Sequence, residues 1–193
     1  MNHVPETAEG LRPFVSAATN ANHLLVVNAG GVPADDWAVV STYALSRICL
    51  NAWTNQADMT WTDILMVSAD AVARRFGERA KVAVFLIDRP GAPVEVAAPG
   101  AWCVVNVTGM SGDGVPHQTM RDRWAKAILR GVARAGGAME SANPECSFYA
   151  GVKGSKDMDR TRIMLCPQAY FPALARFREV GGVEMVTAGG RAE

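Results

Sequence analysis

Two apolar runs near the middle of the chain dominate its hydrophobic pattern. The first is KVAVFLID at residues 81–88, and the second is AWCVVNVTGM at residues 101–110. Both runs are short and rich in valine, and residues 89–93 between them hold prolines and a glycine that would break a continuing helix. Neither run alternates between apolar and polar residues. This pattern predicts two strands buried on both faces, with helices covering both sides of the sheet.

Patterns on either side of these runs predict an α/β fold. Segments with apolar residues three and four positions apart indicate helices, and short apolar runs bounded by glycine or proline indicate strands. The predicted helices cover residues 34–55, 60–77, 117–135 and 172–180, and the predicted strands cover residues 23–28, 81–88, 101–108, 162–166 and 183–187. About a dozen residues separate the two central runs, which favours a wide antiparallel hairpin. The predicted architecture is a layered sheet of about five mixed strands with helices packed on its faces.

The length of the chain bounds its domain organisation. A chain of 193 residues lies within the usual range for one domain and can bury a sizeable core. Residues 1–21 mix polar residues with a few apolar ones and are predicted to form an N-terminal arm. We expect a single α/β domain at residues 22–188 and a polar tail at residues 189–193.

Charge and cysteine usage exclude several classes of partner. The chain has 19 basic and 19 acidic residues, so it has no net charge to attract nucleic acid or an anionic membrane. Its apolar segments are shorter than the roughly 18–20 residues that span a bilayer, and its first residues lack the order of a signal peptide. The four cysteines form no CxxC pair. We therefore expect a cytoplasmic protein with reduced thiols and a small-molecule partner.

Cys103 and His117 are the first candidates for chemistry. A thiol becomes a useful nucleophile when a neighbouring base favours the thiolate, and histidine is the usual base. The alternative is an inert core thiol, because Cys103 lies among apolar residues. Cys146 lies in a polar segment and is predicted to be the most accessible thiol, which makes it a second candidate nucleophile. A zinc site built from these residues and Cys166 is chemically feasible, but the irregular spacing does not favour it.

Two glycine-containing loops are the next candidates. At Asn28, Gly30 and Gly31 a predicted strand runs into a helix start, where free N–H groups can hold an anionic ligand. A tight turn is the alternative explanation for these glycines, and the following aspartates would repel a phosphate. The polar loop before His117 contains Ser111 and Asp113, which are predicted to bind a ligand if the loop covers a pocket.

The helix after this loop carries a row of basic residues. They are Arg121, Arg123, Lys126, Arg130 and Arg134. We interpret them as a solvated face rather than a binding surface, because charged rows on helices usually face water.

Sequence motifs give little further guidance. HExxH, GxSxG, a Walker A loop, an EF-hand and the RNA-binding aromatic motifs are all absent from the sequence. The string Ile163–Pro167, followed by Tyr170 and Phe171, resembles a fragment of deuterolysin-type zinc endopeptidases. The metal-binding helix of that family is absent, so no residue role and no cofactor is carried over.

Two functional hypotheses remain. The first is a small enzyme acting on a small molecule, a cysteine- and histidine-dependent hydrolase or transferase with Cys103, Cys146 and His117 in nucleophilic or acid–base roles. The second is a non-catalytic subunit whose apolar helices, with Trp37 and Trp53, form homo-oligomer or partner contacts.

Overall fold

A computed structural model describes residues 3–7, 24–48, 53–56, 82–98 and 101–179 of the chain. Its elements are β1 (Leu24–Asn28), α1 (Ala34–Ser46), β2 (Trp53–Gln56), β3 (Val82–Ile87), β4 (Glu95–Ala98), β5 (Trp102–Asn106), α2 (His117–Ala135), α3 (Ser155–Met158) and α4 (Pro167–Glu179). The predicted helix at 60–77, the predicted strand at 183–187, Cys49, and the domain boundaries near residues 21 and 188 lie outside the described residues. In the described part, no helix is long and apolar enough to cross a membrane.

The described strands form one mixed five-stranded sheet, which confirms the predicted α/β class. The strand order is β2-β1-β3-β5-β4. β1 pairs in parallel with β2 and β3, and β3 pairs in parallel with β5. β4 lies at one edge and is antiparallel to β5. Every residue of β1 and β3 is buried, as expected for strands without apolar–polar alternation.

The predicted antiparallel hairpin between the two central runs is wrong. β3 and β5 are parallel neighbours, with Val84 beside Cys103 and Phe85 beside Val104. The connection between them contains β4, which runs back along the outer edge of β5. Parallel neighbours need a connection that returns the chain to its starting end, and β4 provides that return. The antiparallel hairpin is therefore formed by β4 and β5.

Two further boundaries differ from the predictions. The first helix ends at Ser46 instead of Asn55, because residues 53–56 pair with β1 as a parallel strand. Residues 162–166 form no strand. They are held by hydrogen bonds to the Glu145–Ser147 segment, from Arg162 N to Glu145 O at 2.8 Å and from Ser147 N to Met164 O at 2.9 Å.

The last described helix begins earlier than predicted. Pro167 starts α4, which suits a residue without an N–H because the first turn of a helix leaves its N–H groups unpaired. This helix therefore follows directly on the 162–166 segment.

The N-terminal residues 3–7 are docked on α2. His3 Nδ1 lies 2.5 Å from Asp122 Oδ2, and the Val4 amide donates to Asp122 Oδ1 at 2.9 Å. Val4 itself is buried. The start of the predicted arm is thus attached to the domain.

Helix α2 is the central helix of the described structure. It packs on β3 and β5 and also contacts α1 and α4. Gly131 allows a close approach to the sheet, because a Cβ atom there would lie 2.4 Å from Val84 Cγ1 and 3.1 Å from Val105 Cγ2. The position of α2 relative to β3 and β5 therefore depends on a residue without a side chain.

The prediction that the basic row of α2 faces solvent is wrong. Arg123, Lys126 and Arg130 are buried. Arg123 makes two hydrogen bonds to Asp159, at 2.8 and 2.7 Å, and the Lys126 ammonium donates to the Met158 carbonyl at 2.8 Å. Burial lowers the pKa of Lys126. Long basic side chains can be buried where acidic groups and carbonyls satisfy their donors, and the sequence of one helix does not reveal those partners.

The Arg123–Asp159 pair predicts a dependence of stability on pH. Its hydrogen bonds lower the pKa of Asp159 below the ordinary carboxyl value. A group whose pKa is lower in the folded state stabilises the protein above its unfolded pKa and loses that contribution as pH falls through the folded value. Asp159→Asn should therefore flatten the acid side of the stability profile. Urea unfolding from about pH 5 to pH 2 measures this. Asp113→Asn, in an exposed loop, is the control, and equal profiles for wild type and Asp159→Asn would contradict the expectation.

Candidate functional site

A cleft of about 570 Å³ lies between the edge strand β4 and the segment around Lys153, with side chains of α2 among its walls. Its lining residues are Val94, Glu95, Ala97, Arg130, Arg134, Glu140, Val152 and Lys153. A smaller pocket of about 60 Å³ shares five of these residues and extends toward Met158. The cleft thus combines a strand edge, a few apolar contacts and five charged groups.

Two arginines and two glutamates form an ion-pair network in this cleft. Arg134 Nε donates to Glu95, and Arg134 Nη2 donates to Glu140 Oε1 at 2.8 Å. Arg130 Nη2 lies 3.6 Å from Glu95 Oε2 and 3.5 Å from Glu140 Oε1. Arg130 and Arg134 are one turn apart on α2, so both guanidinium groups reach the same place.

The guanidinium groups are held in position by more than the carboxylates. Both lie over the ring of Phe148, with Arg130 Cζ 5.3 Å and Arg134 Cζ 4.7 Å from its centroid. Arg130 Nη1 also donates to the carbonyls of Ser147 and Tyr149, each at 3.2 Å. These contacts fix the direction of Arg130 independently of any acidic group.

The outer edge of β4 offers backbone groups to the cleft. Asn106 N donates to Val94 O at 2.9 Å, which makes these residues a hydrogen-bonded pair of the β4–β5 ladder. Hydrogen-bonded pairs alternate along antiparallel strands, so Val96 is the next residue that bonds to β5. The N–H and C=O groups of Glu95 and Ala97 therefore point away from β5.

The proposed Cys103–His117 pair is not joined by a hydrogen bond in this structure. Cys103 is fully buried in β5, and burial raises the pKa of its thiol well above the ordinary value, with the negative charge of Glu95 adding to the effect. The His117 ring is at the start of α2, where its Nε2 lies 2.9 Å from Asp36 Oδ2. Asp36 also accepts a hydrogen bond from Arg121 at 2.6 Å. The catalytic roles of Cys103 and His117 stay predictions.

Cys146 is not the accessible thiol that its polar neighbours predicted. It is fully buried, and its sulfur accepts a hydrogen bond from Cys166 N at 3.2 Å. Burial raises the pKa of the Cys146 thiol. Cys166 differs. Burial acts to raise the pKa of its thiol, but several hydrogen bonds, including that with Ser141 at 3.0 Å, together lower this pKa below the ordinary value. The exposure prediction failed because the 162–166 segment covers the Cys146 loop, and a catalytic role for Cys146 stays a prediction.

The structure gives a local explanation for the first glycine-containing loop. The Asn28 side chain donates to Val32 O at 2.6 Å and accepts from Val32 N at 2.9 Å, which closes the turn after β1. Gly30 has a positive φ of 86°. Gly31 lies against β3, where a Cβ would be 2.7 Å from the carbonyl carbon of Leu86. These contacts account for the three residues as turn residues, and a ligand role for them stays a prediction.

The second predicted ligand loop is exposed. Ser111 and Asp113 both face solvent, and neither lines the cleft beside β4. Trp37, considered for partner contacts, is buried in the core, and the side chain of Trp53 lies outside the described part. Ligand binding by Ser111 and Asp113 stays a prediction.

Solved zinc peptidases have a similar fold. An archaemetzincin from Methanopyrus kandleri matches with a TM-score of 0.60 and 13% identity, over 85% of this chain and 99% of that chain. A zinc-dependent peptidase from Methanocorpusculum labreanum (strain Z) matches with a TM-score of 0.58 and 13% identity, over 78% of this chain and 99% of that chain. An archaemetzincin from Archaeoglobus fulgidus, solved in complex with malonate, matches with a TM-score of 0.53 and 15% identity, over 77% of this chain and 99% of that chain. Neither a family model nor a curated protein matches the sequence. These similarities show a shared fold.

The segment from Arg130 to Glu140 shares only a glycine with the zinc signature of metzincins. In that signature two histidines lie four residues apart on a helix, a glycine follows three residues later, and a third histidine three residues after the glycine. In this chain that spacing is occupied by Arg130, Arg134, Gly137 and Glu140. Gly137 has a positive φ of 78° just after α2. The signature has its general-base glutamate directly after the first histidine, and in this chain Gly131 follows Arg130.

Zinc does not fit this cleft. A guanidinium has only donors and stays protonated, so Arg130 and Arg134 cannot coordinate a metal. Over the described ranges, no group of three or more histidine, cysteine, aspartate or glutamate side chains is placed to hold a metal ion. The cleft carries no intact motif in the sequence, and Gly137 is the one residue that the segment 130–140 shares with the signature.

Proposed function

We propose that this protein binds an extended peptide segment, which adds as a strand to the edge of β4 that pairs with no other described strand. The observation that carries the proposal is the outward direction of the Glu95 and Ala97 backbone groups beside a cleft of about 570 Å³. Strand addition to an exposed sheet edge is a common mode of peptide recognition, with affinity from main-chain hydrogen bonds and specificity from side-chain pockets. No metal-dependent cleavage is part of the proposal, because no group of three or more metal-binding side chains is found among the described residues and the cleft's arginines cannot coordinate a metal.

The surroundings of β4 suit such a peptide. Val94 is exposed at the end of the cleft, and Ala97 and Val152 line it. These apolar side chains can contact alternate residues of an added strand, since successive side chains of a strand point to opposite faces. β4 is short, with four residues, so a partner would gain only a few backbone hydrogen bonds and would depend on side-chain contacts as well.

The proposal favours the interaction protein over the enzyme among the two sequence-based hypotheses. The sequence-based interaction hypothesis placed the binding surface on the apolar helices. The proposed surface is instead the cleft beside β4. Thiol and histidine chemistry on a small molecule remains an untested hypothesis with no supporting contact between Cys103 and His117 in the described structure.

Peptide titration tests the proposal. The probe is acetyl-Thr-Val-Thr-Glu-Thr-Val-Thr-amide, measured by isothermal titration calorimetry. Its control has the same side chains but N-methyl groups on alternate residues, which removes the donors that face β4. We expect the parent peptide to bind at least about tenfold more tightly than its N-methylated form, because two lost hydrogen bonds at about 1 kcal/mol each exceed a tenfold change. Equal binding of both peptides, or binding of neither, would contradict strand addition.

A further inference from the structure

The cleft beside β4 carries more positive than negative charge. Arg130, Arg134 and Lys153 line it together with Glu95 and Glu140, so three cations face two anions and the sum is one positive charge. Phe148 holds both arginines in position, and among the described residues no acidic side chain forms an ion pair with the Lys153 ammonium. An acidic group entering the cleft therefore meets an attractive field.

The side chains of Glu95 and Glu140 differ in how easily they can move away from the two arginines. Glu95 is part of β4 and its side chain is 13% exposed. Glu140 lies in the irregular segment after α2 and its side chain is 35% exposed. Breaking the Glu140 contacts requires only a side-chain rotation toward solvent, whereas moving Glu95 would disturb the strand that forms the cleft.

We propose that Arg130 and Arg134 bind a carboxylate of the incoming peptide, and that Glu140 occupies this position in the free protein as an internal competitor. This inference rests on the proposed function and specifies the chemistry of the ligand. Two neighbouring guanidinium groups match the planar oxygens of a carboxylate through charge-assisted hydrogen bonds. Because Arg130 is also bonded to the carbonyls of Ser147 and Tyr149, it keeps its direction when Glu140 leaves.

The carboxylate can come from an acidic side chain or from a C-terminus, and both present the same two oxygens. Three peptides separate these sources. They are the glutamate peptide used above, the same peptide with glutamine at the centre, and the glutamine peptide with a free C-terminal carboxylate. Each is titrated by calorimetry into the wild-type protein and into three variants, Glu140→Gln, Arg134→Gln and Arg134→Lys. Circular dichroism confirms that the variants are folded, and Arg134→Lys keeps the charge while removing the planar fork.

The expected result has three parts. The wild type binds the glutamate or the free-terminus peptide at least about tenfold more tightly than the neutral glutamine peptide, as expected for a charge-assisted pair. Glu140→Gln strengthens binding of the carboxylate peptide severalfold and changes the neutral peptide little, because only the carboxylate competes with Glu140. Arg134→Gln removes the preference for a carboxylate, and Arg134→Lys restores only part of it.

Three different failures are distinguishable. Equal affinity of all three peptides for the wild type, with the N-methylated control still binding weakly, would overturn the carboxylate site and leave strand addition intact. Weaker binding of the carboxylate peptide to Glu140→Gln would also overturn the role of Glu140 as competitor. Absence of binding by every peptide would overturn the proposed function itself.

Discussion

Replacing Phe148 by alanine is expected to lower the free energy of unfolding by about 3–5 kcal/mol, the range for a large aromatic side chain removed from a core. Phe148 is fully buried, and its ring lies under the guanidinium groups of both Arg130 and Arg134. The substitution leaves a cavity and removes two cation–π contacts, each of about 0.5–2 kcal/mol in partly buried sites. Chemical denaturation with urea measures the change.

Phe171→Ala is the matched control for Phe148→Ala. The Phe171 side chain is 59% exposed on α4, so its loss should cost less than about 1 kcal/mol. Phe148→Leu separates the cost of the cavity from the loss of the cation–π contacts, because leucine fills much of the cavity but has no aromatic ring. Equal costs for Phe148→Ala and Phe171→Ala would contradict the central position of Phe148 beneath the arginine pair.

Replacing Gly131 by alanine is expected to destabilise the protein by about 1–3 kcal/mol, the usual cost of overpacking. This direction is opposite to the helix propensity of the two residues, which favours alanine by about 1 kcal/mol. The cause is the position of the new Cβ, 2.4 Å from Val84 Cγ1 and 3.1 Å from Val105 Cγ2. Either the Val84 side chain or α2 must therefore shift, and both shifts disturb the packing of α2 on the sheet. Thermal and urea unfolding of the variant measure the cost.

A double variant tests this steric explanation. Val84→Ala removes the closest atom, so Gly131→Ala should cost less in that background than in the wild type, with a coupling energy of about 0.5–3 kcal/mol. Gly112→Ala is the control, because nothing lies within 4 Å of its added Cβ and its backbone needs no positive φ. An additive double variant, or a cost at Gly112 equal to that at Gly131, would contradict the proposed close approach.

The sequence predicts the central elements of this fold well. β1, β3 and β5 follow from continuous apolar runs, because strands buried on both faces need apolar side chains at every position. α2 follows from apolar spacing between His117 and the glycine pair at 136–137. These signals are local, so they can be read without knowledge of the partners.

The direction of the strands and the presence of β4 depend on longer-range structure. β4 has the sequence EVAA, with an apolar run of only three residues, which is too short to distinguish it from a loop. Once β4 is missed, the connection from β3 to β5 looks like an ordinary hairpin and the parallel pairing cannot be inferred. Pairing of an edge strand is determined by the neighbour that it meets, which is a tertiary property.

The cleft was missed for a related reason. The basic row of α2 is polar in sequence, but Arg123, Arg130 and Arg134 have their acidic partners on β4, in the segment after α2 and near α3. Burial of a charge depends on such partners. Cys146 was mispredicted for the same reason. Its neighbours in sequence are polar, but a segment distant in sequence buries it.

Amide hydrogen exchange at β4, measured by NMR with and without saturating glutamate peptide, tests the strand-addition account most directly. The Glu95 and Ala97 amides point away from β5, whereas Val96 bonds to it. We predict that the peptide slows exchange at Glu95 and Ala97 at least about tenfold, as expected for amides that gain a hydrogen bond, while Val96 changes little. Unchanged exchange at Glu95 and Ala97 in the saturated complex would show that the peptide does not pair with this edge.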